Sequence, residues 1–259
     1  IGNFGAGGEP FDWFQIYLVD FDSMTDPADR DIRNLEYFRS VTANGQGNGI
    51  SSDPSLAPDR FAVAFSSVAT NLHPLDGDIL SDVYVFEMDE TNPENSVMRL
   101  ISLRAFNLER SGRDDSDHPS FGGNGIVAFR TKAPDVGEPA LNDKEFLDHA
   151  VIAWADLRTF GVPNTAPQIF KILPDLSVLP DGASGLPHVS EDGTKIVFET
   201  AATNFVSTAA GPPVSSPSIV LYDRAAQVAG DRRVVHEIRR LSRSRSRNFP
   251  GPKIGMGGK

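Results

Sequence analysis

Residues 186–198 read LPHVSEDGTKIVF: a short strand after a proline, an Asp-Gly turn, and a second strand ending in Phe198. Asp-Gly between two apolar runs is a strong short-range hairpin signal. The stretch is one of a set. Residues 53–65 (DPSLAPDRFAVAF) and 118–129 (HPSFGGNGIVAF) repeat its plan, and residues 252–259 (PKIGMGGK) begin it again. The prolines of the four copies, Pro54, Pro119, Pro187 and Pro252, stand 65, 68 and 65 residues apart. Recurrence at such a period marks a repeat architecture, in which one supersecondary unit is used several times.

Working outward from the hairpin, each copy is followed by two more apolar stretches. An aromatic-acidic run comes first: 83–87 (VYVFE), 150–154 (AVIAW) and 219–223 (IVLYD). A fourth run follows at 98–102 (MRLIS), 169–173 (IFKIL) and 238–242 (IRRLS). A complete repeat is thus four strands, here called a to d. Residues 142–149 have helical composition, but their distance from Pro119 places a strand directly after them, and repeat position outweighs local propensity. Strands b and c are close to continuously apolar (FAVAF, GIVAF, KIVF), which predicts sheets buried on both faces. Small antiparallel sheets of that kind, repeating every sixty-odd residues, are the blades of a β-propeller. A two-layer sandwich is the competing architecture, but it would not require the sequence to repeat.

The expected fold is all-β: an arc of about four four-stranded antiparallel blades belonging to a larger propeller. The expected organisation is one propeller segment over residues 1–259, with a half-blade at 11–42, blades at 53–102, 118–173 and 186–242, and the start of another at 250–259. Both ends read as cuts within a repeat, and a targeting peptide is expected to have been removed or left out. An arc would leave strand edges unpaired, so self-association of the isolated chain is expected.

The combination in residues 187–242 of Pro, Asp-Gly-x-Lys, Ile-Val-Phe, Thr-Asn-Phe, a Tyr-Asp strand and a Leu-Ser strand resembles the TolB-type, WD-repeat-like β-propeller repeat of bacteria. Residues 54–102 share it, including AVAFSSVATNL at 62–72. The Gly-Asn-Gly turn at 123–125 and the insertions at 133–149 and 157–168 depart from the pattern. The resemblance implies a non-catalytic scaffold for protein or peptide binding, in the periplasm or outside the cell. Its alternative is a propeller domain detached from a prolyl-oligopeptidase-like hydrolase.

Charge narrows the partners. The chain has a formal net charge of -11, yet residues 1–231 carry 15 Lys+Arg against 34 Asp+Glu, and residues 232–259 carry 9 against 1. The acidic body would repel nucleic acid, and only the basic end could attract it. No apolar run approaches the roughly twenty residues needed to span a bilayer, so membrane insertion is not expected. With no Cys there are neither disulfides nor thiolate metal sites.

Candidate chemistry is sparse. Asp76, Asp78 and Asp82, around a Gly-containing turn, could offer oxygen ligands to Ca2+. The plain alternative is a solvated loop, since the last repeat has Gly211-Pro212-Pro213 there. The histidines lack metalloprotease spacing, and Gly182-Ala183-Ser184-Gly185 is not a nucleophile elbow. Gly45, Gly47 and Gly49 fail the dinucleotide fingerprint and read as a flexible loop. In an antiparallel a–b–c–d unit the b–c and d–a loops emerge at one end. That end is the expected binding face, carrying Asp76, Asp78, Asp114, Asp115 and Asp117 together with Arg243, Arg245 and Arg247.

Overall fold

The structure is a computed structural model, describing residues 16–18, 38–39, 41–42, 45–89, 91–92, 95–104, 110–138, 147–162, 166–174, 178–205 and 218–224. The strands are β1 (Tyr17–Leu18), β2 (Phe38–Arg39), β3 (Val41–Thr42), β4 (Gly45–Gln46), β5 (Ser51–Leu56), β6 (Ala62–Ser67), β7 (Asp82–Glu87) and β8 (Val97–Leu100). They continue as β9 (Ser116–Phe121), β10 (Ile126–Thr131), β11 (Val151–Asp156), β12 (Gln168–Ile172), β13 (Ser184–Val189), β14 (Lys195–Thr200) and β15 (Ser218–Asp223). Three antiparallel sheets follow chain order: β5-β6-β7-β8, β9-β10-β11-β12 and β13-β14-β15. Two short pairs, β1 with β2 and β3 with β4, precede them. The expected strand d at 238–242, the fourth copy at 252–259 and the helical-looking residues 142–146 lie outside the described residues, as do Gly211, Pro212 and Pro213.

The three sheets share a pattern of side-chain hydrogen bonds. In each sheet a serine opening the first strand meets a hydroxyl ending the second: Ser51 with Ser67 at 3.0 Å, Ser116 with Thr131 at 2.8 Å, Ser184 with Thr200 at 2.9 Å. The second hydroxyl of each pair then accepts the amide two residues on, from Ala69, Ala133 and Ala202, at 3.0–3.1 Å. Each pair is buried, and these bonds satisfy polar groups that would otherwise cost stability.

The Thr-Asn motif has a similar job. Asn71 Oδ1 accepts from the Asn48 amide at 2.9 Å, and Asn204 Oδ1 from the Asp181 amide at 3.2 Å, pinning the loop before the first strand. In the second sheet Asp135 takes that place, accepting from the Arg113 amide at 3.1 Å. Close packing on these loops corrects the reading of Gly49 as part of a flexible loop. A Cβ there would lie 2.8 Å from the Val68–Ala69 backbone, and one at Gly182 would lie 2.7 Å from Ala201.

Among the described residues, Pro54, Pro119 and Pro187 each follow a residue with left-handed backbone: Asp53 (φ 53), His118 (φ 49) and Leu186 (φ 49). A side chain before proline favours extended backbone, so this conformation is strained. In all three sheets it coincides with a register shift in the pairing of the first two strands. A β-bulge re-aims the strand there and accommodates the turn.

The second sheet contributes to two cores. Val127, Phe129, Ala153 and Ala155 face a core shared with Phe65, Tyr84 and Leu100 of the first sheet. Their neighbours Ile126, Ala128, Ile152 and Trp154 face another, shared with Ile196, Phe198, Val220 and Tyr222 of the third. Strand β10 is therefore packed on both faces, as its continuous apolar run predicts. Strand β14 is not. Its Ile196 and Phe198 are buried, whereas Val197 is 36% exposed beside Lys195 and Glu199, so KIVF alternates between core and surface. Two serines link the sheets through backbone amides: Phe121 donates to Ser55 Oγ at 2.9 Å and Val189 to Ser120 Oγ at 3.0 Å. Among the described residues no helix is long and apolar enough to cross a membrane.

Candidate functional site

The antiparallel order places the b–c and d–a connections of the first sheet together. Ser111 N donates to Leu75 O at 3.3 Å, Ser116 N to Ser81 O at 2.6 Å, and Ser81 N to the Asp115 carboxylate at 3.0 Å. These contacts draw the 68–81 loop against residues 111–116. At the loop tip Ile79 is 81% exposed.

Asp76, Asp78 and Asp82 converge behind that tip. One carboxylate oxygen from each lies within 4.8 Å of the others. Backbone and side chains hold them there. The Asp76 carboxylate accepts from the Asp78 amide at 3.2 Å and from the Tyr84 hydroxyl at 2.5 Å. Asp78 accepts from the Leu80 amide at 2.9 Å and from Ser111 Oγ at 3.4 Å. Asp82 opens β7 opposite Ser67, where strand pairing fixes its direction, and accepts from Ser102 Oγ at 2.5 Å. Its side chain is 1% exposed, and its Oδ2 is buried without a hydrogen-bond partner.

Burial sets the electrostatics. Desolvation pushes the Asp82 carboxyl up to about 8; the Ser102 hydroxyl opposes this, the charges of Asp76 and Asp78 add to it, and Ser111 opposes it weakly. Desolvation also raises Asp76, against the Tyr84 hydrogen bond and the Asp78 amide, with the Asp78 charge reinforcing the rise. Tyr84 is raised too, first by burial and then by its bond to Asp76. Three acids that repel one another are thus held in place by the fold.

The other expected binding residues divide. Asp114 and Asp115 lie partly buried beside the loop, Asp114 accepting from the Asp115 amide at 2.7 Å. Asp117 is not a loop residue: it is the second residue of β9, facing Arg130 of β10, to which it is ion-paired. Its displacement follows from the strand beginning at Ser116, two residues before the blade start expected at 118. His118 sits beside it, Nδ1 3.1 Å from Asp117 and 3.8 Å from Asp53. Arg243, Arg245 and Arg247 lie outside the described residues.

Sequence reading missed Tyr84, Ser102 and Ser111, which come from β7, from just beyond β8 and from the following loop. The Ser closing strand d was visible as a recurrent letter, but only the fold brings Ser102 to Asp82. The opposite end of the sheets is built differently. There the a–b turns are joined, Asn124 N donating to Asp59 Oδ2 at 2.7 Å and Asn124 Nδ2 to Asp192 O at 3.0 Å. Comparison with protein-family models and with curated proteins gives no match to this chain.

Proposed function

We propose that the chain is an arc of β-propeller of the TolB-like type and works, outside the cytoplasm, as a non-catalytic scaffold that binds a protein or peptide at its b–c and d–a loops. Three sheets in chain order, sharing cores across the middle one, three congruent hydroxyl pairs, and loop-pinning bonds from Asn71, Asp135 and Asn204 support the propeller reading. The observation that carries the binding reading is Ile79. Its side chain is 81% exposed, contributes nothing to the core, and stands at the tip of a loop held by hydrogen bonds to residues 111–116. Anchored loops on a rigid scaffold are where recognition is usually found. The acids around Ile79 form a charged rim, which governs association rate more than fold.

The test is site-specific photocross-linking from position 79, with position 59 at the opposite end as control. A protein captured from 79 and not from 59 is then purified, and its affinity measured against Ile79→Asp. The proposal expects a loss of about tenfold or more, roughly 1.4 kcal/mol. Equal capture from both positions, or unchanged affinity, would count against this face.

A further inference from the structure

We propose that Asp76, Asp78 and Asp82 bind Ca2+ at the loop end of the first sheet. Two oxygens held on one Ca2+ at about 2.3–2.6 Å can be no more than about 5 Å apart. The three carboxylates meet that limit, each ligand atom lying within 4.8 Å of the others. Only oxygen is on offer, from carboxylates and nearby hydroxyls, and that donor set suits a hard cation.

A cluster of acids alone would be a solvated loop, but Asp82 is not solvated. It is a strand residue, 1% exposed, with Oδ2 buried and unpartnered beside two further carboxylates. An unpaired buried acid is costly, and native structures retain one when something else satisfies it. The fold itself does not need it. In the matching register of the second sheet Thr131 faces Val151, and in the third Thr200 faces Ser218. Of the three sheets only the first places an acid at this strand position, and Asp76 and Asp78 of its b–c loop converge on it.

The supporting bonds leave room for an ion. Tyr84 and Ser102 each donate to one oxygen of a carboxylate, orienting Asp76 and Asp82. Asp78 is the half-buried member, so water can complete the six to eight ligands that Ca2+ accepts. Mg2+ demands a near-ideal octahedron and sheds water reluctantly, which fits three acids on a strand and a turn less well.

The experiment uses the 259-residue chain after EDTA treatment, following thermal unfolding with added Ca2+ or Mg2+ and Tyr-sensitised Tb3+ emission. Ca2+ at 1 mM is expected to raise Tm by about 2–8 °C, Mg2+ by less, and Ca2+ to displace Tb3+. Asp82→Asn and Asp78→Asn should each weaken Ca2+ binding about tenfold or more. Without Ca2+, Asp82→Asn should melt at or above the unsubstituted chain, because it replaces the buried acid by a neutral side chain of the same shape. No Tm shift and no Tb3+ emission, or shifts preserved in both variants, would overturn the site. An equal response to Mg2+ would overturn the assignment to Ca2+. Should Asp82→Asn fail to fold, the half-buried Asp78→Asn decides by the same readouts.

Discussion

The two ends of these sheets use carboxylates in opposite ways. At the a–b turn end, acids are satisfied. Asp192 accepts from the Ser190 hydroxyl and from the amide and hydroxyl of Thr194, which together hold it down to about 2. Asp59 is likewise lowered, by Arg60 first and, against slight burial, by the Asn124 amide. At the loop end Asp76 and Asp82 are raised by burial, and an apolar residue stands exposed above them. Both ends expose an apolar side chain, Leu56 at one and Ile79 at the other, but only at the loop end is a buried carboxylate oxygen, Asp82 Oδ2, left without a partner among the described residues. Among the described residues, carboxylates are lowered by partners at the turn end and raised by burial at the loop end.

The comparison can be broken or sharpened at several points. The core between the ends sets the scale: Phe129 is fully buried between the first and second sheets, and Phe129→Ala should cost about 3–5 kcal/mol in chemical denaturation. A loss below about 0.5 kcal/mol, typical of surface positions, would remove it from the core.

The loop end also buries a cation, Lys171, whose ammonium donates to the carbonyls of Val136 and Gly137. Burial lowers its pKa to about 8, against the charges of Asp135 and Glu138. The unfolded chain therefore binds the extra proton between about pH 8 and 10.4, and stability relative to Lys171→Met should rise with pH across that window. The full rise corresponds to roughly 3 kcal/mol on the linkage relation. A flat difference between the two proteins would show that Lys171 is not desolvated.

At the turn end Gly123 leaves no space. A Cβ there would lie 1.8 Å from the Glu191 carbonyl oxygen, so Gly123→Ala should destabilise by about 1–3 kcal/mol as overpacking does. A neutral substitution would mean that the turns do not touch. Smallest is Ile79→Ser at the loop tip, expected to change stability by no more than about 0.5 kcal/mol. A larger loss would make Ile79 part of the fold and take away its role as a docking residue.

Much of this was legible in letters, because the repeat offers several readings of each position. Recurrent proline, Phe and Thr-Asn positions placed the strands, and Phe65, Phe129 and Phe198 are all buried as their shared position requires. The Asp-Gly-Asp turn was visible as a possible cation loop. The depth of Asp82 was not, since burial depends on Ser102 and Ser111, which lie 20 and 29 residues away in sequence. The exposed face of β14 failed for the same reason. KIVF is apolar enough for two cores, but Val197 lacks a neighbour to bury it among the described residues. Asp117 moved from loop to strand because an acid paired with Arg130 tolerates a strand face that composition alone assigns to turns.

Amide hydrogen exchange with and without about 1 mM Ca2+ tests the contrast between the ends most directly, because it reads both in one sample. The amides of Asp78, Leu80 and Ser81, bonded within the acidic loop, should slow by about tenfold or more on adding Ca2+, as the ion stabilises the closed loop. Those of Asn124, Gly193 and Thr194 at the turn end should not change. Exchange that is unaltered at the loop, or slowed equally at both ends, would contradict the account.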